Sequence, residues 1–156
     1  MGKFKWIFDD GISWNFSDYF DYLKDVANEM PPSLREFAGD IESYTLHGNK
    51  TLHDARVLSL LVSKRYGAGF TDAATSIEIR LIDQLFEGTT TLTYSGVSSF
   101  RCSDSDLHEH GHADILLHEF TIIRPGVFKH QIVLDHGGEI HIEFAHFLHA
   151  WNRLSS

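Results

Sequence analysis

His108-Glu109-His110-Gly111-His112 is the stretch whose residue types and spacing come nearest to doing chemistry. It fits the H-E-x-x-H pattern, in which two histidines one helical turn apart hold a zinc ion and the glutamate activates the bound water. One reading is therefore a metal-binding protein or metal-dependent hydrolase using His108, His110 and His112. That chemistry requires a stable helix. Here the stretch follows Ser103-Asp104-Ser105-Asp106, carries no apolar stripe and contains Gly111, all of which disfavour one. In an extended segment two residues four apart stand about 13 Å from each other, too far for His108 and His112 to share an ion. The segment reads as a wet loop, and neither a resident metal nor a cofactor is expected.

The chain has eleven histidines. If Arg124 to Val127 is a turn, Ile123 faces Phe128 and Glu119 faces Ile132. If His136-Gly137-Gly138 is a three-residue loop, Leu134 faces Ile140 and Ile132 faces Ile142. This register puts Glu119 and His130 on the inner face as diagonal neighbours, a buried polar pair in which each group satisfies the other. His118, Val133 and His141 then form an outward row. A carboxylate beside an imidazole is also an acid/base pair, but no nucleophile accompanies it, so the pair reads as structural and no catalytic residue is assigned. Cys102, the lone cysteine, precedes Asp104 and Asp106, which disfavour a thiolate. No phosphate-cradling glycine loop and no nucleophile elbow occurs in the sequence.

Charge points elsewhere. Thirteen Lys and Arg against 22 Asp and Glu give a formal net charge of -9, opposite to what a nucleic-acid binder needs. Asp18, Asp21, Asp25 and Glu29 recur at spacings of three and four, which places them in one row on a helix, and Asp9 and Asp10 extend it. Such a ridge suits the surface of a basic protein. No apolar run reaches the ~18 residues a membrane span needs, and a single cysteine fits a reducing compartment, so a cytoplasmic location with no membrane partner is expected.

The elements that must position these residues follow from the hydrophobic period. Phe4 to Phe8 reads as a short strand ended by Asp9-Asp10-Gly11. Phe16, Tyr19, Phe20, Leu23, Val26, Ala27 and Met30 share one helical face, with Ser17 as N-cap and Pro31-Pro32 as the stop. Ser33 to Ala38 reads as one more helical piece. Past Gly39 the period changes to two, predicting strands at 42–47, 55–64, 76–85, 89–100, 113–123, 127–135 and 139–147. No helix-length crossover separates them, so the sheet should be antiparallel. The expected architecture is a single α+β domain over 1–156. Residues 1–40 form a strand and an N-terminal helix packed on a mainly antiparallel sheet of six to eight strands over 41–150, meander-like in its C-terminal half.

Three features carry a resemblance: Leu52-His53-Asp54-Ala55 leading into a strand, Tyr94-Ser95-Gly96-Val97 ending another, and His130 followed by the Gly137-Gly138 hairpin. With these, residues 50–147 resemble a group of small bacterial cytoplasmic proteins that includes toxin-neutralising immunity proteins. The resemblance implies a non-catalytic binding module that occludes a partner, and an acidic chain of this kind suits a basic protein such as a toxin. The oligomeric state is left open.

Overall fold

A computed structural model of the chain describes residues 4–67, 73–103 and 114–155. Strands dominate it. They are β1 (Phe8–Asp9), β2 (Trp14–Asn15), β3 (Arg56–Tyr66), β4 (Ala73–Ile82), β5 (Gly88–Ser95), β6 (Ser99–Ser103), β7 (Ile115–Arg124), β8 (Val127–Leu134), β9 (Glu139–Phe144) and β10 (His146–Arg153). The helices α1 (Ser17–Val26) and α2 (Pro32–Ala38) are short. Three antiparallel sheets result: β1-β2, β10-β5-β4-β3 and β6-β9-β8-β7.

This corrects the expected single helix on one sheet: the described chain is mostly β, with two short helices and three sheets. The physical reason is a corner. The runs 89–100 and 139–147, each read as one strand, both break in the middle, so β5 and β10 serve one sheet while β6 and β9 serve the other. Gly96 makes the bend, at φ +61, where a Cβ would stand 2.9 Å from the Cβ of Ala145. Backbone bonds from Val97 to Thr75, from Ser98 to Glu143 and from Ala145 to Ser95 hold the corner. The expected strand at 42–47 is also absent; Ile41–Ser43 is a 3-10 turn capped by the Asp40 carboxylate on the Glu42 N–H.

The helical segment divides where proline requires it. After α1 comes a 3-10 turn, Ala27–Glu29, and Pro32 opens α2, where its missing N–H costs nothing. Arg35 clamps the junction, donating to the carbonyls of Ala27 at 2.7 Å and Met30 at 2.9 Å. Phe37 of α2 meets Phe120 of β7 and Phe147 of β10, so the helix closes the gap between the sheets.

The register of β7 decides which side chains are inside. The turn to β8 is the two-residue Pro125-Gly126, with Arg124 opposite Val127 and Ile123 left over as a bulge. Ile122, not Ile123, therefore faces Phe128, and His118, not Glu119, faces Ile132. A slip of one residue exchanges the two faces of a strand. His118 and Phe120 turn into the core, while Glu119 and Thr121 take the other face. A second bulge between Ile115 and Leu117 returns Ile115 to the inside, fully buried.

Candidate functional site

Four groups form a hydrogen-bonded chain through the core. Tyr94 on β5 meets His130 Nδ1 at 2.6 Å, His130 Nε2 meets His118 Nδ1 at 3.0 Å, and His118 Nε2 meets the Ser43 carbonyl at 2.8 Å. A carbonyl only accepts, and that fixes every proton in the chain. His118 donates from Nε2 to Ser43, His130 donates from Nε2 to His118, and the Tyr94 hydroxyl donates to His130 Nδ1. Both imidazoles are neutral. Burial lowers His118 to about 4 and holds His130 well below the usual imidazole range, with the neighbouring His118 adding to the effect. Tyr44 stacks on His118 at 4.6 Å and Phe120 on His130 at 3.8 Å, sealing both rings from water.

A second chain runs beside it. Tyr44 donates to the Ala38 carbonyl, so the Tyr19 hydroxyl, 2.9 Å away, donates to Tyr44 and accepts the N–H of Phe120 at 2.8 Å. Tyr22, one turn further along α1, accepts the N–H of Ile122 at 2.8 Å. These are outward amide groups of β7, a strand at the edge of its sheet, so α1 covers the edge with two tyrosines three residues apart.

Glu119 and His130 are both buried, but the structure does not make them partners. Glu119 takes the backbone N–H groups of Lys5, Trp6 and Ile7 at 3.0, 2.8 and 2.9 Å, anchoring the N-terminal segment. Burial pushes its carboxyl up, and the three amide donors oppose the rise. The expected outward row of His118 and His141 is likewise not formed. His141 lies opposite Gln131 on β8 and bonds Glu139 at 2.9 Å, far from the His118 ring inside. Cys102 is exposed on β6.

Of the acidic row, Asp18, Asp21 and Asp25 lie on α1, and Glu29 ends the 3-10 turn that follows it. Asp18, Asp21, Asp25 and Glu29 are all exposed, opposite the buried Tyr19 and Leu23. None of the four makes an ion pair with a described residue. Lys24 is exposed beside them. The β1-β2 hairpin adds Asp9 and Asp10 at its tip, and the Asp10 carboxylate accepts the N–H groups of Ser13 and Ile12, which hold it below the ordinary aspartate range. Ile12 at this tip is 95% exposed.

His108, His110 and His112 lie outside the described residues. Among the described residues, no three His, Cys, Asp or Glu side chains are grouped to hold a metal. No helix among them is long and apolar enough to cross a membrane. Two clefts are notable. One, between α2 and β10, has a volume of about 230 Å³ and is lined by Glu36, Lys50, Thr90, His149 and Trp151. That is below the ~300 Å³ at which small-molecule sites begin. The other, of about 470 Å³, lies between the β1-β2 hairpin, the start of α1 and the segment 41–46.

The tyrosine bonds to β7 are not legible in the hydrophobic period. Tyr19 falls in the apolar helical stripe and reads there as core, while Tyr22 and Tyr44 carry no reading of their own; the available signal was a hydroxyl on each, which once buried must find a partner. Comparison of the chain with protein-family models, with curated proteins and with solved structures finds no match.

Proposed function

We propose that this chain is a non-catalytic binding module of the cytoplasm, one that occludes a basic protein such as a toxin with the outer face of α1. The observation that carries this reading is the ridge: Asp18, Asp21, Asp25 and Glu29 all reach solvent with no cation among the described residues paired to them. Unpaired carboxylates in a row produce a field that steers a positively charged surface. The net charge of -9 has the same sign. The buried histidines supply no competing site, because each ring nitrogen of His118 and His130 is already committed within the core.

Amide hydrogen exchange tests the surface. A basic protein encoded beside this one should form a 1:1 complex in which residues 17–29 and the hairpin tip gain protection, while the outer face of the β3-β4 pair does not. Protection confined to the sheets would remove the assignment.

A further inference from the structure

The second cleft supplies what the ridge lacks. Exposed charges speed encounter but add little affinity, which comes from apolar anchors desolvated at the centre of an interface. The cleft of about 470 Å³ is walled by Trp14, Phe16, Phe20, Ile41, Tyr44 and Leu46. Phe16 stacks on Phe20 at 5.6 Å, and Phe20 meets Tyr44 edge-on at 5.6 Å, so the floor is a fixed aromatic surface. At the rim, Ile41 is 61% and Leu46 64% exposed. Apolar side chains this open, together in one concavity, mark a surface that a partner covers.

Each element that lines the cleft also carries an acidic residue. Asp10 fixes the hairpin loop through Ser13, Asp40 caps the turn that carries Ile41, and Asp18 stands in the first turn of α1. Of the cations on these elements, Lys50 is taken by Glu42 at 3.4 Å, leaving Lys24 on the flank. Aromatic faces also attract guanidinium and ammonium groups.

We infer that this groove receives an anchor from the basic partner: one large apolar side chain, aliphatic or aromatic, flanked by Lys or Arg. The inference rests on the acidic-face reading and adds the point of attachment. A second copy of this chain is a poorer occupant, because two chains of net charge -9 would oppose each other.

The test uses the whole chain and three synthetic peptides. The first has a central tryptophan between lysines and arginines, the second replaces that tryptophan by serine, and the third keeps it between glutamates. The first should shift the amide and indole resonances of Trp14, Phe16, Ile41 and Leu46. It should bind at least tenfold more tightly than either control, and at least tenfold more weakly to an I41S/L46S variant. Both residues are exposed, so that variant should unfold at the wild-type temperature. Equal binding of the first two peptides, shifts mapping elsewhere, or no shifts at millimolar peptide would each overturn the inference. So would a concentration-dependent dimer abolished by I41S/L46S, which would give the groove to a second copy. The two readings fail separately. If ridge neutralisation slows capture of the partner while I41S/L46S leaves its affinity unchanged, the groove falls and the ridge stands. If affinity drops in I41S/L46S while neutralisation changes nothing, the groove binds a partner that the ridge does not steer, and both the basic flanks and the acidic-face reading are lost.

Discussion

At the residue scale the governing fact is that a carbonyl cannot donate. The Ser43 oxygen at one end of the core chain sets the tautomer of His118, then of His130, then the direction of the Tyr94 hydroxyl. Both histidines should carry their proton on Nε2 at pH 7, which imidazole nitrogen shifts in NMR read directly; an Nδ1–H form of either would break the assignment. Tyr94→Phe removes the donor to His130 Nδ1 and leaves a buried acceptor unsatisfied. It should cost about 1–3 kcal/mol in urea unfolding, and a loss below measurement error would mean the bond contributes nothing. His130 was legible as an inward residue of its strand. Its partner was not, because the bulge at Ile123 turns His118 inward in place of Glu119, and nothing in the residue types around Pro125-Gly126 distinguishes a two-residue turn with a bulge from a four-residue one.

The elements are joined by side chains accepting from backbone. Glu119 holds the N-terminal segment through three amides, and a glutamine there must turn its NH2 group toward at least one of them. In Glu119→Gln the amides of residues 5–7 should exchange about tenfold faster or more, consistent with about 1.4 kcal/mol lost locally, while the core of β8 is unaffected. Unchanged exchange at Lys5, Trp6 and Ile7 would contradict the anchor. Period reading located the α1 stripe and most of the strands, since alternation such as Ile77, Ile79 and Leu81 against Glu78 and Arg80 is a local property. It did not locate the corner at Gly96 and Ala145. A bend that transfers a strand between sheets preserves alternation on both sides, so its only local trace is a small residue on each strand.

For the whole molecule, two neutral imidazoles in the core make stability depend on pH. The folded state keeps His118 unprotonated down to about 4, whereas the unfolded chain takes up a proton near 6.5. Stability from this group is complete above 6.5 and is lost as pH falls toward 4, on the order of 2 kcal/mol by pH 5. Glu119, raised by burial, acts in the opposite sense, since its protonation on acidification favours the folded state. With His118 and His130 both lowered, the histidines prevail. The urea midpoint should fall between pH 7 and pH 5, by less in His118→Asn, and a midpoint constant across that interval would mean the rings are not held neutral. The outer surface is separate from this interior, and on it the account of function depends. Its most direct test is the association rate with the basic partner, measured from low to high salt, for the wild type and for a variant neutralised at Asp18, Asp21, Asp25 and Glu29. The wild-type rate should fall steeply with salt, and the variant should associate at least tenfold more slowly at low salt with a flatter dependence. Superimposable curves for the two proteins would contradict the account.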